Sequence, residues 1–165
     1  MPVDQTIDKR ESPYLAAFEQ RGPSAPGGPW LLETRQDAMG SFAALGFPTT
    51  HDEDWKFTSI APLTKVRFHA ATAAENGSHA SIAELVSQLT KDADSLVFVN
   101  GRQAAGVSQR SGAVRIASLH DAYANASALI KAHLARYADY RRQAFVALNT
   151  AFLDNGAFVY IPDGT

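Results

Sequence analysis

The chain is 165 residues long, 45% hydrophobic and 19% charged, with 15 lysine and arginine side chains against 17 aspartate and glutamate. That length suits one ordinary domain able to bury a real core, and a net charge of -2 lacks the basic footprint of a dedicated nucleic-acid binder. With no cysteine, disulfide scaffolds, thiolate zinc sites, ligation of an iron–sulfur cluster by the chain's own thiolates and cysteine nucleophiles are all excluded; the composition fits a reducing compartment.

Residues 1–11 are polar, have no apolar core of a signal peptide and read as a flexible N-terminus. No stretch approaches the ~20 apolar residues of a membrane helix, so the expectation is a soluble, cytoplasmic protein without a membrane partner. Ser12-Pro13 reads as an N-cap followed by proline at the first helical position, with Tyr14, Leu15 and Phe18 on one side of a short helix. Residues 22–29 are rich in glycine and proline and form a loop. Pro29 then opens a longer helix with Leu31, Ala38, Phe42 and Leu45 at helical spacing, stopped by Gly46 and barred from resuming by Pro48.

Thr50 and Glu53 match a capping box, with the acidic residues where a helix N-terminus favours them, so a short helical turn precedes Pro62. Residues 63–68 read as a brief extended piece and 70–79 as a loop. Ser81 and Glu84 form a second capping box ahead of an amphipathic helix carrying Ile82, Leu85, Val86 and Leu89. The run 96–99 closes with Asn100-Gly101, the strongest short hairpin signal, and the returning strand is placed at Val107 and Ser108. Residues 114–116 form a strand. Ser118 and Asp121 start a helix through Leu119, Tyr123, Ile130, Leu134 and Tyr137, broken near Asn125. Another helix covers roughly 141–153, and 158–161 is a strand after the Asn155-Gly156 turn. Helices mixed with a few scattered strands, without regular alternation, make the fold class α+β.

The last strand needs a ladder partner. Two readings are open on the residues alone: it pairs back onto the hairpin at 96–108, or the polypeptide is cut where a larger β structure begins.

Four chemical readings compete with simpler ones. His51-Asp52-Glu53-Asp54 is the densest group of metal or proton-transfer candidates, the basis for an alternative function as a small metal-dependent enzyme. Adjacent helical residues point in different directions, however, and capping explains the acids without an ion. His69, His79, His120 and His133 have no metal-ligand spacing. The glycine-rich stretches at 26–29 and 101–112 lack nucleotide-binding patterns. Lys131, Arg136, Arg141 and Arg142, beside Tyr137 and Tyr140, read as a solvated helix face rather than a nucleic-acid surface. A generic protein-interaction module is a third function class.

Taken together, four strings carry a more specific signal. GFPTTHDEDWKFT (46–58), LVFVNG (96–101), VRIASL (114–119) and FVALNTAFLDNGAFVYIPDGT (145–165) resemble, in order, blocks of the SufB/SufD family of iron–sulfur cluster assembly proteins. The Trp55-Lys56-Phe57-Thr58 element resembles the SufD branch, as does the absence of the cysteine motif often found early in SufB. The resemblance implies a scaffold rather than an enzyme. It implies a helical N-terminal region with a small hairpin, ending at the start of a right-handed parallel β-helix absent from this chain: a flexible 1–11, an α+β domain over 12–153, and the beginning of the truncated β-helix over 154–165. It implies SufB and the ATPase SufC as partners, engaged through regions mostly missing here. No cofactor is implied in this chain; an iron–sulfur cluster, with a reduced flavin in some accounts, belongs to the full complex. The signature positions carried over are Gly46, Pro48, Glu53, Trp55, Lys56, Asn100, Gly101, Asn149, Gly156 and Pro162, all expected to be structural, with Trp55 packing the short turn against the helix at 29–45. No catalytic or metal residue is implied.

Overall fold

The computed structural model describes residues 12–22, 27–68, 84, 88, 95–103 and 114–165. Over these the fold is α+β, as expected. Its helices are α1 (Ser12–Arg21), α2 (Gly28–Leu45), α3 (Leu119–Asn125), α4 (Ser127–His133) and α5 (Ala144–Ala151). Its strands are β1 (Phe98–Val99), β2 (Arg102–Gln103), β3 (Arg115–Ser118) and β4 (Ala157–Tyr160). The readings for 1–11, 70–79, 81–89 and 107–108 lie outside the described residues, except that Glu84 and Gln88 are both helical. Two compact units emerge, Met1–Ala70 with Lys131–Leu153, and Ala71–Ile130 with Asp154–Thr165.

In the first unit, Pro29 sits in the first turn of α2, where its missing N–H has no intrahelical acceptor to lose. The helix buries Leu31, Arg35, Ala38, Met39 and Phe42, a stripe of helical period facing inward. Leu45, read as part of that stripe, is exposed instead. Gly46 ends the helix at φ 65 and ψ -178, its N–H donating to the Phe42 carbonyl at 2.9 Å; a side chain at that positive φ would be strained.

Against α2 packs α5, whose Ala147 and Ala151 are fully buried one turn apart with Ala38 and Phe42 in the same core. Small side chains on α5 leave room for the large ones on α2. Around Phe42 the aromatic rings meet edge to face: Tyr14 at 5.9 Å and Phe47 at 5.2 Å between centroids, with Tyr14 and Phe47 themselves 5.4 Å apart. Such pairs add about 0.5–1.5 kcal/mol each beyond their burial. Burial also pushes the Tyr14 hydroxyl pKa up.

Two polar ties hold α2 to the chain around α5. Arg35, only 1% exposed, donates from Nε and Nη2 to the Leu153 carbonyl just beyond the end of α5; a cation is favoured there because helix C-termini carry partial negative charge. Asp37 accepts the Tyr140 hydroxyl and the Arg141 Nη2 on the same oxygen, each at 2.7 Å, while the Arg141 guanidinium lies 4.6 Å from the centroid of the Tyr140 ring. The Tyr140 hydrogen bond, reinforced by Arg141, holds the Asp37 carboxyl below its usual range. Burial and the same hydrogen bond push the Tyr140 hydroxyl up.

Three local readings are corrected. The capping box at Thr50 and Glu53 does not form. Instead Asp52 accepts from the Thr49 N–H at 2.7 Å and the Thr49 Oγ1 at 3.1 Å, and its own N–H returns to the Thr49 carbonyl. The reciprocal closure therefore falls one residue earlier, leaving a single 3-10 turn at Glu53–Trp55. Residues 63–68 are not extended throughout: Pro62 adopts helical dihedrals and starts a 3-10 turn at Leu63–Lys65, with extended geometry resuming at Val66. The basic residues from 131 to 142 share no helix face, because α4 stops at His133 and Arg136, Arg141 and Arg142 lie in the connection to α5.

In the second unit, β1 and β2 form the hairpin, with Val99 opposite Arg102 across Asn100 (φ 51) and Gly101 (φ 75). The return starts at Arg102, because a two-residue turn at positive φ matches the twist of its strands. The Ser118 hydroxyl caps α3 by accepting the Asp121 N–H at 3.0 Å, and the break near Asn125 falls at Ala126, between α3 and α4. The last strand does not pair onto the 96–108 hairpin: β4 ladders antiparallel onto β3, from Arg115 opposite Tyr160 to Ser118 opposite Ala157. The Leu119 N–H donating to the Gly156 carbonyl at 2.7 Å extends the pairing into the start of α3. An unpaired terminal strand therefore no longer argues for missing β structure.

Substituting Phe42→Ala should cost about 3–5 kcal/mol by urea denaturation, whereas Leu45→Ala should cost under about 1 kcal/mol. Asp37 tests the second tie. A carboxyl with a lowered folded-state pKa contributes its full stability above the unfolded value, and that stability is lost as pH falls through the folded value. Between about pH 5 and pH 3, Asp37→Asn should therefore lose stability less steeply than wild type, and at neutral pH it should cost no more than about 1 kcal/mol, since the pair is half exposed and screened.

Candidate functional site

Within the first unit the chain leaving α2 folds back toward the start of α5 and encloses an open cleft of about 450 Å³. One wall is Leu45, Gly46 and Pro48, the other Arg142, Gln143, Ala144 and Phe145, and the turn at 52–55 forms the lip. Each wall has a local cause. Gly46 turns the chain away from α2 at an angle closed to other residues, and Pro48 keeps it out of helix. The 3-10 turn at Glu53–Trp55 then aims the indole inward. Trp55 lies 5.2 Å from the Phe145 ring at a 42° tilt, and Phe145 lies 5.9 Å from Phe47, so the aromatic lining continues into the core around Phe42.

The polar rim is uneven. Asp52 is tied to Thr49, and those hydrogen bonds hold its carboxyl below the usual range. Glu53 and Asp54 are exposed, and Arg142 is the cation on the facing wall. At the base, α5 begins after Gln143, whose side chain makes no capping hydrogen bond. Among the described residues the lining holds carboxylates, one guanidinium and two aromatic rings, with no histidine, serine or lysine. No three histidine, aspartate or glutamate side chains among the described residues come together to hold a metal ion, and 51–54 forms no such group.

The signature positions separate by unit. Gly46, Pro48, Glu53 and Trp55 meet at the cleft. Lys56 points away from it, its Nζ 5.6 Å from the centroid of the exposed Phe57 ring. Trp55 makes its ring contact with Phe145 on α5 and packs against the core that contains Ala38, Met39 and Phe42 of α2. Asn149 is exposed on α5. In the second unit, Asn100 and Gly101 form the hairpin tip, the Gly156 carbonyl accepts from Leu119, and the Pro162 carbonyl accepts the Thr165 N–H at 3.2 Å.

Sequence reasoning missed the Arg142–Phe145 wall and Arg35. The FVALN block begins at Phe145, but nothing local ties it to a tryptophan ninety residues earlier. Arg35 shows only as a charge inside an apolar stripe, which is itself a usable signal, since arginine is almost never buried unless paired.

Among the described residues no helix is long and apolar enough to cross a membrane. No solved structure matches the chain. An iron–sulfur cluster assembly SufBD family protein of Synechocystis sp. is 29% identical over 167 residues, covering 99% of this chain and 36% of the relative. The chain thus spans about a third of that relative's length. The family described as the SufBD protein N-terminal region matches residues 10–165. With the signature glycine, proline, glutamate and tryptophan gathered at one cleft, and the match running through both units, the chain belongs to the SufBD N-terminal region family.

Proposed function

We propose that this region is a non-catalytic scaffold segment of an iron–sulfur cluster assembly protein of the SUF system, of the SufD branch, acting with SufB and the ATPase SufC in the cytoplasm. The observation that carries the reading is the family match over residues 10–165, supported by a curated relative named for iron–sulfur cluster assembly. The Trp55-Lys56-Phe57-Thr58 element favours SufD over SufB. A structural part for the signature residues is supported by where they lie: Trp55 extends the core toward Phe145, and Gly46 and Pro48 shape the chain leaving α2.

Cluster, flavin and most of the contacts to SufB and SufC belong in this reading to the complete protein, including a parallel β-helix outside this region. Without cysteine, the region itself offers no thiolate to a cluster. The test is reconstitution. The complete protein carrying this region, mixed with purified SufB and SufC, should elute as one complex by size exclusion, and elution of three separate components removes the proposal.

A further inference from the structure

Beyond the cleft, the stretch 56–68 carries an unusual surface. Phe57 is 93% exposed, and Leu63, Val66 and Phe68 are each 51% exposed. Four large apolar side chains left open within twelve residues is more than scattered surface apolarity, and exposed patches of this kind mark interaction sites. Interleaved with them are Lys56, Lys65 and Arg67, all exposed, and the stretch contains no acidic residue. Among the described residues none of these three cations is paired with a carboxylate. The stretch therefore carries three positive charges in a chain whose net charge is -2.

We infer that 56–68 is a docking face for another protein of the assembly, one presenting an apolar patch rimmed by aspartate and glutamate; the inference rests on the function proposed above and assigns it a contact surface. Aromatic anchors with flanking cations are the chemistry that such a partner recognises: the rings supply apolar area, and the cations supply steering and register. Lys56 over Phe57 already couples the two, because a cation held against a ring brings its charge to the apolar contact. An anionic membrane fits less well. Interfacial binding uses an amphipathic helix, whereas this stretch has only a 3-10 turn at Leu63–Lys65, and Asp52, Glu53 and Asp54 directly precede it. Nucleic acid is disfavoured by the acidic whole.

The experiment uses the complete protein with SufB and SufC. Hydroxyl-radical footprinting should show Phe57 and Phe68 reactive in the free protein and protected in the complex. Lys56→Glu with Lys65→Glu and Arg67→Glu should weaken assembly by about tenfold or more, and Phe57→Ala should weaken it by about fivefold or more. Wild-type assembly should also weaken with salt more steeply than the triple variant. Lys131→Glu with Arg136→Glu serves as a control of comparable exposure and should change nothing. A complex that forms without protecting these rings, or with unchanged affinity in the variants, overturns the docking face and leaves the scaffold reading intact. Rings already protected in the free protein overturn it in favour of cover by the same polypeptide. Protection only on addition of vesicles containing phosphatidylserine overturns it in favour of a membrane. If wild type forms no complex at all, the scaffold reading falls and this inference falls with it.

Discussion

The packing of α2 on α5 around Phe42 is the constraint on which the first unit depends. Phe42 meets Tyr14 and Phe47 edge to face, and Phe47 passes the contact on to Phe145 and thence to Trp55. The cleft is the outer end of this aromatic series rather than a separate construction. Its shape follows from core packing, because close-packed interiors transmit displacement instead of absorbing it. The polar ties serve the same packing. Arg35 and Asp37 both lie on α2, and both reach partners beyond position 139, so helix register and the path of the chain around α5 are set together.

That arrangement explains several of the signature positions by geometry alone. Gly46 is required by a positive φ, Pro48 by the need to stop a helix, and Trp55 by the area it presents to Phe145. Each is specific because geometry admits few substitutes. None is positioned as a nucleophile or a proton-transfer pair. Lys56 is the exception, since it lies over the exposed Phe57 ring.

Much of the fold was legible in local pattern. Pro29 and Gly46 mark α2 to within a residue, Asn100-Gly101 marks the hairpin, and Ser118 with Asp121 marks the start of α3. Each of these signals acts over a few residues, through backbone sterics or a side chain reaching its own main chain. What stayed hidden depends on distant partners. Nothing near residues 157–160 announces β3 as their ladder, and nothing near Arg142 announces the turn at 52–55 across the cleft. The capping box at Thr50 failed for a subtler reason: Thr49 offers the same chemistry one position earlier, and Asp52 closes the shorter loop. Of the site, the wall rich in glycine and proline and the tryptophan lip could be read; the facing wall could not.

The interleaving of the two units has a consequence for how the molecule is made. Tyr140 reaches Asp37 across 103 positions of sequence, and Arg35 reaches Leu153 across 118. During translation α2 thus emerges long before α5 exists, and its stripe from Leu31 to Phe42 must wait without its α5 cover while some hundred further residues are added. Contacts this far apart slow folding and lengthen exposure to aggregation. On the ribosome, this half-built state is the one for which a chaperone has most to offer.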